Sequence, residues 1–196
     1  MQAQGKTPMT KTTRDKAKIS AEGLAASVRA TGRKGPPPVH LWNPDFCGDI
    51  DMRIGRDGTW FYLGTPIGRI ELVRLFAGII KREGDAYFLV TPVEKVGITV
   101  EDAPFIAVDF NQTPAGLEFV TNVGDQVTAG PDHPIRVTRD AATGEPRPYI
   151  HIRANLEALI DRKSFYRLID IGEHQGDWFG LRSGASFFPV ILSAEL

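Results

Sequence analysis

One pattern occurs twice along the chain, and its recurrence restricts the folds open to it. Arg53-Ile54-Gly55-Arg56-Asp57 is followed by Trp60-Phe61-Tyr62-Leu63, by a leucine-rich stretch from Arg69 to Ile80, and by Gly84-Asp85-Ala86-Tyr87-Phe88. Arg136-Val137-Thr138-Arg139-Asp140 is followed by Tyr149-Ile150-His151-Ile152, by a stretch from Leu156 to Ile171, and by Gly176-Asp177-Trp178-Phe179. Each copy reads as hairpin, helix, hairpin. In a chain of 196 residues, two such units are small enough to gain by burying a shared face. The seam between them is a natural place for a ligand.

Local signals fill in this frame. Asp57-Gly58 lies between the apolar runs 51–55 and 59–64 and marks a hairpin. Thr65 and Pro66 offer a cap and a first-turn proline, and Leu72, Val73, Phe76, Ile79 and Ile80 repeat as one buried helical face. Gly84 offers the left-handed residue that ends such a helix. Short strands are expected at 87–91, 96–100, 105–110, 117–122 and 126–128. Along 105–110, alternation puts Phe105, Ala107 and Asp109 on one face and Ile106, Val108 and Phe110 on the other. Further on, 135–138 pairs with 149–153. Asn155 caps a helix over 156–160, which Asp161 or Ser164 restarts through Ile171. A hairpin of 178–182 with 186–192 closes the chain.

The expected class is α+β, with two similar antiparallel-sheet units at residues 37–100 and 101–196. Strands and helices alternate too rarely for a parallel doubly wound sheet. Neither Gly-x-Gly-x-x-Gly after a strand nor a complete Walker-type Gly-x-x-x-x-Gly-Lys-Ser/Thr is present. Residues 1–36 form a basic leader. Within it 1–17 is expected to be disordered, Ser20 can cap a short helix over 21–28, and Thr31–Pro38 reads as a proline-rich linker.

The overall charge of −1 conceals a split. Residues 1–37 carry eight Lys/Arg and two carboxylates, net +6, which leaves net −7 on the remainder. An acidic body repels nucleic acid, and the leader has no aromatic residue on which to stack a base. A nucleic-acid accessory role would rest on that leader alone. No apolar run reaches the ~18 residues of a membrane span. Cys47 is the sole cysteine, so an intrachain disulfide and a Cys-based zinc site are excluded, as suits a cytoplasmic protein.

Catalytic signatures are sparse. Asp49-Ile50-Asp51 in a strand would place two carboxylates on one face, where they can share Mg²⁺ or Mn²⁺ or pair with Arg53 and Arg56. This is the basis of an alternative reading as a metal-dependent transferase or hydrolase. His40, His133, His151 and His174 lack the i, i+4 spacing of a helical metal pair. Two aspartates near Cys47 would raise its thiol pKa, the wrong direction for a nucleophile. Trp42 and Asn43, after the proline linker, combine an apolar face with an amide and suit a ligand contact.

The chain resembles a bacterial family without assigned function, domain-of-unknown-function family 1285. The words that carry the likeness are Pro38-Val39-His40-Leu41-Trp42-Asn43-Pro44, Phe46-Cys47-Gly48-Asp49-Ile50-Asp51-Met52, Trp60-Phe61-Tyr62-Leu63-Gly64, Phe88 to Val96, and Thr121-Asn122-Val123-Gly124-Asp125. The resemblance implies a duplicated fold of repeated hairpin–helix motifs, with a second domain loosely like pleckstrin-homology folds. It also implies no assigned enzyme activity, a ligand site at the domain interface and a role in signalling.

The expected function is thus non-catalytic binding of a small molecule or partner peptide in the groove between units, with no cofactor and no membrane. The expected site comprises Trp42, Asn43, Asp49, Asp51, Trp60, Tyr62, Thr91, Glu94, Lys95, Asn122 and Asp125. Its polar members would orient the ligand, and Trp42, Trp60 and Tyr62 would supply apolar contact.

Overall fold

The computed structural model describes residues 20–30 and 37–196. The disorder expected over 1–17 and most of the expected linker lie outside them. The first element is α1 (Ala21–Ala30), where the Ser20 hydroxyl accepts from the Gly23 amide. Ala21, Leu24, Ala25 and Val28 are its buried face. Ten residues are too few for a stable isolated helix, so α1 depends on packing.

Strands β1 (Phe46–Ile54), β2 (Trp60–Tyr62) and β3 (Thr65–Pro66) form a meander. Helix α2 (Ile70–Ala77) follows, packed against α1. A second meander, β4 (Ile80–Glu83), β5 (Ala86–Val90) and β6 (Lys95–Val100), completes the sheet. The strand order is β3-β2-β1-β6-β5-β4, with β1 and β6 parallel at the centre.

The second unit repeats this order. Strands β7 (Phe105–Thr113), β8 (Gly116–Thr121) and β9 (Gln126–Thr128) make one meander. Strands β10 (Ile135–Arg139), β11 (Pro146–Arg153) and β12 (Leu156–Ile160) make the other. Their order is β10-β11-β12-β7-β8-β9, and β7 and β12 are the parallel central pair. Helix α3 (Arg162–Asp170) begins at Asp161, whose carboxylate accepts from the Ser164 amide at 2.7 Å. A three-stranded sheet, β13 (Glu173–Gln175), β14 (Trp178–Ser183) and β15 (Ser186–Leu192), then lays β15 against β10 and β14 against β8. Ser183 fastens this layer: its buried hydroxyl donates to the Ala129 carbonyl and accepts from the Leu117 amide.

The duplication is therefore real, but its phase differs from that expected. Arg53 lies in β1 whereas Arg136 lies in β10, the counterpart of β4. Aligning the two copies on their helices slips the repeat by one meander, because α2 lies between meanders and α3 follows both. Thr65 and Pro66 form edge strand β3 instead of starting a helix, which is where a residue lacking an amide hydrogen is tolerated. Helix α2 stops at Ala77. Ile80 pairs with Leu89 in a sheet, and Gly84 (φ +60°) turns the β4–β5 hairpin. Leu156–Ile160 is a strand and not a helix, since its alternating burial serves a sheet with one covered face. Asn155 accordingly caps nothing. A bulge between Ala107 and Asp109 resets the alternation of β7, so Phe110 is buried along with Phe105 while Val108 faces outward.

One apolar cluster runs through both units. It joins Leu24 and Phe76 to Phe105, Ile150 and Leu168. Among the described residues, no helix is long and apolar enough to cross a membrane.

Candidate ligand-binding cleft

Three side chains stitch the seam. The Asn122 carbonyl oxygen accepts from the Ile106 amide at 3.0 Å, and its amide nitrogen donates to the Gly58 carbonyl at 3.5 Å. Gly58 is needed there: its φ is +80°, and a Cβ would stand 2.7 Å from both Asn122 Nδ2 and Ile106 Cγ1. Arg153, at the end of β11, reaches across to donate to the Ala77 carbonyl at 2.9 Å, pairs with Asp125 and lies over the Phe105 ring. Asn155 donates to the Arg82 carbonyl at 3.1 Å.

Above these contacts opens a cleft of about 770 Å³. The first unit contributes Val28, Pro37, Val39 and His40, then Glu71, Arg74, Leu75, Ala77 and Gly78 along α2, then Ile80, Lys81 and Arg82 of β4. The second contributes Val123 and Asp125 after β8 and the β11–β12 turn from Arg153 to Leu156. In that turn Ala154 takes a positive φ of 49°. Behind it the His151 ring faces the Asp132 and Ala154 carbonyls through its two nitrogens and stands 5.7 Å from the His133 ring. The turn is thus held from below while its upper side faces the cleft.

The lining is apolar with a cationic excess, four Lys/Arg side chains to two carboxylates. Three of the four are engaged. Lys81 donates to Asn43 Oδ1 at 2.9 Å and pairs with Glu83, Arg82 pairs with Asp85 and lies over Tyr87, and Arg153 holds the seam. Arg74 differs: among the described residues its guanidinium meets no ion-pair or hydrogen-bond partner.

Of the residues expected from the sequence to form the site, Asp125 lines this cleft and Asn122 ties the seam beside it. Asn43 reaches the wall through Lys81, and the half-buried Trp42 packs against the core. Trp60 is a core residue stacked on Phe76 with ring centroids 6.2 Å apart. Tyr62 accepts from the Ala21 amide and so receives α1. Thr91 is buried in the β5–β6 turn, where its hydroxyl accepts from the Val93 and Glu94 amides.

Asp49 and Lys95 line a shallower hollow of about 520 Å³ on the first sheet, with Phe46, Tyr87 and Phe88. Lys95 pairs there with Glu83, whose carboxyl is held below its ordinary pKa chiefly by that hydrogen bond. Asp51 is exposed on β1. Arg53 pairs with Glu101, not with these aspartates. Among the described residues no group of three or more His, Cys, Asp or Glu is arranged to hold a metal.

Leu75, Arg74, Arg153 and Asn155 were missed by sequence reading. Arg74 lies off the buried face of its helix, so nothing local marks it. Arg153 alternates with Ile152, which places it off the core face, but its partner lies a whole unit away.

Two family models match the chain: the N-terminal domain of a domain of unknown function, DUF1285, over residues 37–103, and the C-terminal domain of the DUF1285 protein of unknown function over residues 104–190. The crystal structure of a DUF1285 family protein from Silicibacter pomeroyi DSS-3, at 2.50 Å resolution, is similar with a TM-score of 0.81. It is 63% identical over 88% of this chain and 97% of that one. A DUF1285 family protein from Shewanella baltica OS155, solved at 1.40 Å, is 31% identical with a TM-score of 0.49, over 61% of this chain and 90% of that one. No curated protein matches the chain. The two matched models abut and together span both units and their seam, and with the Silicibacter likeness they show that the chain belongs to the DUF1285 family.

Proposed function

We propose that this chain is a non-catalytic binding protein of the bacterial cytoplasm, whose ligand occupies the cleft between the two units. The occupant is a small molecule or a short segment of a partner. The observation that carries this reading is a concavity of about 770 Å³ with walls from both units. Ligand pockets typically measure roughly 300–1,000 Å³ and are mostly apolar with a few placed polar groups. A ligand that touches both walls binds best at one setting of the seam, so its occupancy shifts the balance between settings. That is the physical basis for a role in signal transduction. The second unit's six-stranded sheet, with α3 packed against β7 and β14, is the basis of the loose likeness to pleckstrin-homology folds.

Leu75, half-buried on α2 and facing the cleft, provides the test. Leu75→Trp should fill the space without disturbing the core residues Val73 and Phe76. The neutral dye Nile red should fluoresce on binding the wild type, and the variant should lose that signal while keeping its melting temperature. Equal fluorescence from both proteins would move the site elsewhere.

A further inference from the structure

The unengaged guanidinium of Arg74 says what kind of molecule the cleft would hold. We infer that its ligand is a small amphipathic monocarboxylate, with the carboxylate on Arg74 and the apolar body against Val28, Val39, Leu75, Ile80 and Leu156. This rests on the reading of the cleft as a binding site and specifies its chemistry.

The argument begins with the lining. An apolar wall favours a ligand with an apolar body. The wall also carries more cations than carboxylates, which favours an anion over a cation or a zwitterion. Three of those cations already have partners. Lys81 is held by Asn43 and Glu83, Arg82 by Asp85, and Arg153 by Asp125 and the Ala77 carbonyl. Diverting any of them would break an existing contact.

Arg74 breaks none. It is exposed on α2, and among the described residues no acceptor engages it, although Glu71 stands one turn earlier on the same helix. A guanidinium is a planar fork of donors that matches the two oxygens of one carboxylate. One available fork serves one such head group. A phosphoryl dianion would call for a second uncommitted Lys or Arg, which the described lining does not provide. The β11–β12 turn opposite, braced by His151, sets the far wall against which the apolar body rests.

Displacement of Nile red by three ten-carbon compounds, each below its micellar concentration, tests this. Decanoate, decanol and decyltrimethylammonium share a tail and differ in head-group charge. In the wild type, decanoate should compete at a concentration at least about tenfold lower than the other two. Arg74→Gln should weaken decanoate by about ten- to hundredfold, the worth of a charge-assisted hydrogen bond, and leave Nile red and decanol unchanged. Arg74→Lys should recover part of the loss, since an ammonium keeps the charge without the fork.

Unchanged melting of the Gln variant separates this result from misfolding. Decanol competing as well as decanoate, or Arg74→Gln leaving decanoate untouched, overturns the carboxylate assignment while the cleft stands. Nile red binding that survives Leu75→Trp overturns the cleft itself, and the assignment with it.

Discussion

The two six-stranded sheets share one strand order and differ in what covers them. In the first unit the chain between meanders carries α2, and α1 packs beside it. In the second, residues 129–134 link β9 to β10 through a tight turn, in which Gly130 and His133 exchange backbone hydrogen bonds. The cover there is the layer of β13, β14 and β15, fastened by Ser183. The cleft follows from this asymmetry. Its first-unit wall is α2 together with β4 and residues 37–40, and its second-unit wall is bare strand ends and turns. The two scaffolds are similar, and the cleft lies where one has a helix beside the seam and the other does not.

The comparison breaks most visibly at the helix that distinguishes the units. Phe76 is wholly buried and stacked on Trp60. Phe76→Ala removes a ring from a packed core, and such changes cost about 3–5 kcal/mol. Since one apolar cluster joins both units, urea should unfold wild type and variant alike in a single transition, shifted to lower denaturant in the variant. Two resolved transitions would show that the sheets are energetically separate despite their common core.

Strand positions were largely legible in the sequence because turn chemistry and two-residue alternation are local. The Asp57-Gly58 hairpin and the short strands around Val96, Leu117 and Val127 lie where those signals place them. Helices were less legible. Leu156–Ile160 is rich enough in Leu and Ile to suit a helix, and only its pairing with Tyr149 and Phe105 decides for a strand. The phase of the repeat was hidden for a related reason: helices are the loudest feature of the pattern, and here they are what the duplication does not share. The cleft was least legible. Arg74 and Arg153 are made neighbours by the docking of two units, and no spacing along the chain records that.

A second test sharpens the comparison at matched positions. Tyr87 and Tyr149 lie on β5 and β11, the middle strands of equivalent meanders. Burial raises the pKa of both. Tyr149 rises to about 12, through burial first and then because its hydroxyl donates to Asp102 at 2.8 Å. Asp102 also pairs with Arg147, so this group fixes the connector between units to β11.

The neutral phenol is favoured in the folded state, so its contribution is complete below the unfolded value of about 10. It is lost as pH rises from there through about 12. A rise from about 10 to about 12 corresponds to about 2–3 kcal/mol. The stability difference between wild type and Tyr149→Phe in urea should therefore shrink by about that amount over this alkaline interval. A difference independent of pH would show that the phenol is not held as described.

The smallest expected effect falls on the seam, at the contact that Asn122 makes with Gly58. Asn122 accepts from the buried Ile106 amide within its own unit and donates to Gly58 of the other at a longer distance. Asn122→Ala orphans the Ile106 amide and should cost about 1–2 kcal/mol. Asn122→Asp keeps an acceptor for that amide but loses the donor to Gly58, so it should cost less. The order Ala before Asp would mean that Asn122 acts chiefly by satisfying its own unit. The reverse order would mean that the cross-unit bond dominates. Val123 and Asp125, which line the cleft, follow directly in the chain. The Ala variant should therefore also weaken Nile red binding, whereas a stability loss with unchanged dye binding would uncouple the seam from the site above it.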